Sequence, residues 1–497
     1  MENLLTGLEN VFTLNNMLAI WLGTLAGTIG GAIPGINASM TMALLLPFTW
    51  GMNPITALLM FVGVYCGGQY GGSIPAILIG TPGTTSSAAT VVDGFLMHQK
   101  GQTGKAVGIS LLSGGVGGFI STILLIFIAV PLASIALAFG PPEYFGLAIM
   151  GLTMIASLSG KNIVKGLIAG AFGLLLSTVG LDPFSPAIRF SFGSLNLVNG
   201  LEVIPVMMGM FAVGQVLYQI RSHEDLPGLD EKAMTQFPTW QEFWRCGPAM
   251  VIASVVGMIV GIMPGSGASI GCWIGYNEAR RWSKQPELYG TGIMEGVAAP
   301  EAANNAVTGG ALVPLLALGI PGSNSTAIML AALMIHGLVP GPLLFLEHPD
   351  IPYSIFVGLF VANIAMLVVG YVFLKAAIKI VNIPEPILNA GIIALVFVGA
   401  FTINNNLFDV AVVFAFGILG YVMKVYGFPV TATVLGFVLG FLVETSLRRS
   451  LTLSDGSWMI FLERPIAAVL LAVAIITIVF SLYREFRPKS KDASSAA

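Results

Sequence analysis

The sequence predicts an all-α polytopic membrane protein, and three observations carry that reading. Charge is scarce, apolar blocks reach membrane-spanning length, and one set of Pro-Gly motifs occurs twice in the same order. Of 497 residues, 56% are apolar and only 9% charged, with a mean hydropathy of +0.88. Soluble domains carry about 25% charged residues, so this chain lacks the surface that water requires. Crossing a hydrocarbon core takes about 20 helical residues. Leu111–Phe139, Ile355–Leu374 and Pro465–Leu482 each meet that length or come close to it. The spans must be helical, because open strands leave backbone groups unsatisfied in lipid. The length fits about ten to twelve transmembrane helices or re-entrant segments joined by short loops.

From the N-terminus, Met1–Asn16 carries Glu2 and Glu9 and no basic residue. A signal peptide begins with positive charge, so the first apolar stretch is expected to be kept as a span. The polar segment Arg221–Arg245 interrupts the chain near its middle, and a second polar stretch covers Asn277–Glu295. The organisation expected is a first membrane repeat over 1–220, a polar connection over 221–245, and a second repeat with C-terminal spans over 246–482. A basic tail over 483–497 holds Arg484, Arg487, Lys489 and Lys491 and is expected to be cytoplasmic by the positive-inside bias.

The repeat is visible residue by residue. GTIGGAIPGINAS at Gly27–Ser39 aligns with GMIVGIMPGSGAS at Gly257–Ser269. GGSIPAILIGTPGTTSSA at Gly71–Ala88 aligns with GALVPLLALGIPGSNSTA at Gly310–Ala327, superposing Pro75 on Pro314, Gly80 on Gly319 and Ser86 on Ser325. The chain reads as two copies of one membrane unit, taken here as inverted. Duplication of this kind is the common construction of secondary transporters, with the site at the repeat interface near the midplane.

The four Pro-Gly motifs are the candidate site. Proline removes a helix donor and glycine permits angles other residues avoid, so Pro-Gly in an apolar stretch breaks a helix at membrane depth. Such a break is tolerated where it is buried in protein or lines a wet cavity. Pro34-Gly35 is followed by Asn37, Ser39 and Thr41; Pro82-Gly83 by Thr84, Thr85, Ser86, Ser87 and Thr90. Pro264-Gly265 is followed by Ser266, Gly267 and Ser269; Pro321-Gly322 by Ser323, Asn324, Ser325 and Thr326. Free N–H groups at a half-helix start attract a carboxylate. Undonated carbonyls and hydroxyls suit a hard cation such as sodium. No Lys or Arg lies in the four motifs. A plain kinking and packing role is the alternative reading of any single motif.

Ser73 precedes the second loop, and Glu301, Asn304 and Asn305 precede the fourth, where an acid in an apolar setting defaults to a functional role. Asp93-Gly94, Lys100 and Lys105 read as an exit turn into water. Tyr65 and Tyr70 fit either packing or substrate contact, and Glu202 and Glu444 sit at apolar edges. Other chemistries find no support. His98–Val107 lacks the first glycine of a phosphate loop, and its lysine is followed by alanine. Cys66, Cys246 and Cys272 have no metal-ligand spacing, the four histidines are scattered, and a net charge of −3 argues against a nucleic-acid partner. The bilayer is the first partner implied. The motifs leave a carrier and a passive pore open, and no nucleophile–base set suggests an enzyme.

GTIGGAIPGINAS, LLLPFTWGMNPITALLMFVGVYCGGQYGGSIPAILIGTPGTTSSAATVVDG and GVAAPEAANNAVTGGALVPLLALGIPGSNSTAIML resemble the large membrane subunit of the tripartite tricarboxylate transporter family. The likeness runs from about Asn16 to beyond Leu344, and its glycine-rich stretch falls on Gly23–Asn37 and again on Gly257–Gly267. The resemblance implies a small membrane subunit and a periplasmic solute-binding protein as partners. It implies uptake of citrate or another carboxylate across a bacterial inner membrane, driven by an ion gradient, commonly sodium, with no other cofactor.

Overall fold

The computed structural model describes residues 2–33, 36–78, 80, 82–137, 139–158, 163–221, 237–263, 267–381 and 385–486. Pro34, Gly35, Pro264, Gly265, Ser266, most of the polar connection and the basic tail lie outside the described residues. Among the described residues, the regular structure is helical but for one two-stranded antiparallel ladder, β1 (Gly180–Leu181) with β2 (Ile188–Arg189). It is thus the all-α membrane protein that its composition requires.

In chain order the helices begin with α1 (Glu2–Val11), α2 (Leu14–Ala32), α3 (Ala38–Leu45), α4 (Pro54–Gly71), α5 (Ser73–Leu78), α6 (Ala88–Gln99) and α7 (Thr103–Ala136). Next come α8 (Pro141–Leu158), α9 (Ile163–Ser177), α10 (Val203–Met207), α11 (Gly214–Arg221), α12 (Trp240–Ile262), α13 (Gly267–Arg281), α14 (Met294–Leu318) and α15 (Asn324–Ile335). The series closes with α16 (Pro342–Glu347), α17 (Asp350–Val381), α18 (Glu385–Asn404), α19 (Leu407–Val425), α20 (Val430–Leu453), α21 (Ile460–Glu463) and α22 (Pro465–Phe486). A π-turn at Met208–Val213 joins α10 to α11.

Four described helices are long and apolar enough to cross a membrane alone: Thr103–Ala136, Trp240–Ile262, Asp350–Phe373 and Leu407–Val425. The pair α1 and α2, bent by 72°, makes a fifth if counted as one span. Shorter apolar helices add to these among the described residues: Ala38–Thr49 and Asn324–Ile335, which follow Pro-Gly motifs, and Val164–Ser177, Pro205–Tyr218, Asn389–Phe401 and Pro465–Val479, which do not.

The chain forms two compact units. The first takes residues 1–138 and 202–425, the second 139–201 and 426–497. In the second, α8 and α9 pack with α20 and α22. There Glu444 pairs with Arg189 at 2.7 Å and Asp182 with Arg448 at 3.0 Å, so Glu444 serves an ion-pair network. Glu202 is exposed ahead of α10.

The first unit is built on two helix pairs, α2 with α4 and α12 with α14, each pair running parallel. Backbones touch along both. A Cβ on Gly27 would stand 2.3 Å from the Val64 carbonyl oxygen, and one on Gly257 would stand 2.3 Å from that of Ala303. The sequence alignment sets Gly27 on Gly257 and, at the offset of the second motif pair, Val64 on Ala303. Gly80 and Gly319, also aligned, take positive φ of 70° and 72°. Small residues permit this approach where lipid supplies no hydrophobic drive between helices.

Replacing Gly27 by Val forces α2 off α4. Overpacking of this kind costs about 1–3 kcal/mol. Thermal unfolding of purified protein should show a clear loss for Gly27→Val. Gly51→Ala, with nothing within 4 Å of the new carbon, should leave the transition unmoved.

Candidate functional site

All four helix breaks occur where the Pro-Gly motifs stand. Helices end at Ala32, Leu78, Ile262 and Leu318, and the next begin at Ala38, Thr85, Gly267 and Asn324, one pair on either side of each motif. Two restarts carry side-chain caps. Asn37 accepts the Met40 N–H at 2.9 Å at the start of α3. Ser323 and Thr326 cap α15 reciprocally, the Thr326 hydroxyl accepting the Ser323 N–H at 2.8 Å. These side chains take up donors that a helix start leaves free.

The restarts then meet across the sequence. The Ser39 and Ser325 hydroxyls lie 3.0 Å apart, joining the first break to the fourth. The Thr85 and Ser269 hydroxyls lie 2.6 Å apart, joining the second to the third. The first break of each half thus meets the second break of the other. Tyr65 on α4 adds a hydrogen bond to Ser323 at 2.8 Å, so it meets the fourth break as well as packing. Gly83 donates its N–H to the Gly72 carbonyl at 3.1 Å. A Cβ there would stand 2.5 Å from the Gly31 carbonyl oxygen, and one on the aligned Gly322 would stand 2.9 Å from that of Gly261.

Behind the loops runs a buried polar chain. Thr84 bonds Ser86 at 2.8 Å and Ser87 at 3.3 Å, and Ser86 donates to the Gln69 side-chain oxygen at 3.0 Å. The Asn304 amide donates to the Gln69 carbonyl at 3.2 Å. Asn305 donates to the Glu301 carbonyl at 3.1 Å, and the Thr90 hydroxyl donates to the Glu301 carboxylate. Ser73 bonds Ser110 on α7 at 2.6 Å. Glu301 and Asn304 are fully buried, and Asn305 nearly so.

Of the residues singled out by sequence, Asn37, Ser39, Ser73, Thr84, Thr85, Ser86, Ser87, Glu301, Asn304, Asn305, Ser323, Ser325 and Thr326 fall in these connected networks. Gly83 and Gly322 are packing points, and Gly267 opens α13. Asn324 opens α15; Pro82 and Pro321 stand in the breaks. Pro34, Gly35, Pro264, Gly265 and Ser266 lie outside the described residues.

Sequence reasoning passed over Gln69 and Ser110; a polar side chain within an apolar helix was the available signal for each. Asp93 was read as part of an exit turn, and the structure corrects this. Asp93 is fully buried within α6. Its carboxylate accepts the N–H groups of Gly290 at 3.0 Å, Gly292 at 2.7 Å and Ile293 at 3.1 Å, and the Tyr276 hydroxyl at 2.8 Å. Asp93 therefore holds the loop that leads into α14, up to its N-cap Ile293, and the side of α13 onto α6. Lys105 leaves the same region by pairing with Glu242 at 2.6 Å.

The sequence compared with known families matches the tripartite tricarboxylate transporter TctA family over residues 17–435. The chain belongs to the tripartite tricarboxylate transporter TctA family. All four breaks and the buried chain behind them fall inside the part that matches this transporter family. The chain is 36% identical over 488 residues to a 52.8 kDa Agrobacterium vitis protein described as uncharacterized and lying in the TAR-I ttuC' 3'region, covering 98% of this chain and 97% of that one. A second Agrobacterium vitis protein, described as uncharacterized in the TAR-II ttuC' 3'region, is 34% identical over 233 residues, 47% of this chain and 96% of its own length. No solved structure matches this chain.

Removing the Asp93 carboxylate strands three backbone donors. Each unsatisfied buried donor costs about 1–3 kcal/mol. Asp93→Ala should lower the thermal midpoint of the purified protein strongly, Asp93→Asn less because one acceptor remains, and Tyr276→Phe least.

Proposed function

We propose that this TctA-family protein is the substrate-translocating subunit of a secondary active carboxylate uptake system in a bacterial inner membrane. The chain is then two copies of one membrane unit, and its substrate sits where the four broken helices converge. One observation carries the reading: the first break of each half meets the second break of the other, through Ser39 with Ser325 and Thr85 with Ser269. A site made from both halves changes its exposure when one half rocks against the other, which is how repeat transporters alternate access. Residues on a single half would give no such coupling.

The chemistry of the loops suits a carboxylate. Half-helix starts offer N–H groups and positive dipole ends. Hydroxyls of Thr84, Ser86, Ser323 and Ser325 supply further donors, and carbonyls freed by the breaks suit sodium as the coupling ion. With no Lys or Arg in the motifs, a citrate-type substrate of several negative charges is balanced by bound cations. A small membrane subunit and a periplasmic solute-binding protein complete the system, as the tripartite family name implies.

Uptake of labelled citrate into proteoliposomes containing the three components should saturate, require the solute-binding protein and rise with an inward sodium gradient. Flux without receptor or sodium would mark a passive pore. Uptake of tartrate or an aromatic acid in place of citrate would keep the mechanism and change the ligand. Replacing Thr84, Ser86, Asn324 and Ser325 together by Ala should cut uptake more than tenfold. Each lost hydrogen bond costs about 0.5–1.5 kcal/mol, and about 1.4 kcal/mol is a factor of ten. Unchanged uptake would move the site elsewhere.

A further inference from the structure

Glu301 poses a charge problem that the loops do not solve. Its carboxylate is fully buried on α14. One oxygen accepts from Thr90; the other, Oε2, has no partner. The side chains of Ser110 and Asn304 also reach the carboxyl within hydrogen-bonding range, as neutral donors that carry no counter-charge. Asn304 Oδ1 is also a buried acceptor without a donor, as are Asn305 Oδ1 and the nearby Tyr70 hydroxyl.

Among the described residues, no basic side chain answers these acceptors. From α4, Tyr70 feels the Glu301 charge, and from α13, Cys272 does. Both are neutral near pH 7 by their ordinary chemistry. On α6, Asp93 is taken up by Tyr276 and three backbone donors, and His98 bonds Thr103. On α7, Lys105 pairs with Glu242. On α12, Cys246 is buried and Arg245 pairs with Glu295. A buried carboxylate without a counter-charge is too costly to persist in a membrane interior. Buried acceptors without donors call for a positive charge or a proton.

We propose that Glu301, with the Asn304 side chain beside it, is a buried site for a monovalent cation, set behind the broken-helix loops. The cation is sodium or a proton, and either one neutralises the carboxylate. Ser86, Gln69 and Asn304 link this position to the second loop. Occupancy of the site therefore bears on the geometry of the substrate loops, and this role rests on the transport reading above. The existence of the site does not.

The test is thermal unfolding of the purified full chain in detergent, without substrate. Sodium chloride is compared with choline chloride at equal ionic strength, at a slightly acid and a slightly alkaline pH. Wild type and Glu301→Asp should gain several degrees from the cation, and Glu301→Gln should lose at least half of that gain. A sodium-dependent difference between wild type and Glu301→Gln assigns the site to sodium. A wild-type gain on acidification that is independent of sodium and absent from Glu301→Gln, so that the two proteins differ most at the alkaline pH, assigns it to a proton. No response in wild type, or the same response in Glu301→Gln, overturns the proposal. An ion response that depends on Glu301, together with no carboxylate uptake by the assembled system, would strike the transport reading alone.

Discussion

A helix interrupted inside a bilayer must find partners for the backbone groups it gives up, and the first compact unit is arranged around that requirement. Lipid offers no hydrogen bonds, so the cost falls on protein groups brought close to each break. Asn37 and the Ser323–Thr326 pair cap two restarts from within their own turns. Elsewhere the answer is proximity. Gly83 donates to the Gly72 carbonyl, and small residues along α2 and α4, and along α12 and α14, let backbones approach to contact. A larger residue at Gly27 or Gly257 would separate the pairs that hold the breaks in place.

The same requirement produces the site. Polar side chains gathered to support one break are near the polar side chains of another, and the two halves become joined through hydroxyls. From there the buried chain through Ser86, Gln69 and Asn304 reaches Glu301, while Asp93 ties α6 to α13 and to the loop that leads into α14. In the proposed carrier, movement of one half would carry the other half's loops with it, a coupling that a set of independent helix kinks would not supply.

Much of this was legible in the sequence because its causes are local. Helicity follows from composition and span length, and each break stands where Pro-Gly stands. The alignment of Gly27 with Gly257 and of Gly80 with Gly319 was readable from motif order; the first two lie equally close to a neighbouring helix carbonyl, and the second two share a positive φ. The crossed pairing of Ser39 with Ser325 and of Thr85 with Ser269 was not readable, since it joins residues 286 and 184 positions apart. Asp93 misled for a related reason. Asp-Gly beside an apolar stretch has the composition of a turn, and only the arrival of residues 290–293 makes it a buried clamp. The second compact unit, from residues 139–201 and 426–497, likewise depends on contacts between distant segments that no local pattern announces.

The most direct measurement is a reversible cross-link between the two halves. In a background with Cys66, Cys246 and Cys272 replaced by Ala, Ser39→Cys and Ser325→Cys are combined and the protein is reconstituted with its partner components. Oxidation should form the disulfide and stop carboxylate uptake, and a reductant should restore it, because the site can no longer change exposure while its two halves are bound together. Full uptake by protein shown to be cross-linked would contradict the account.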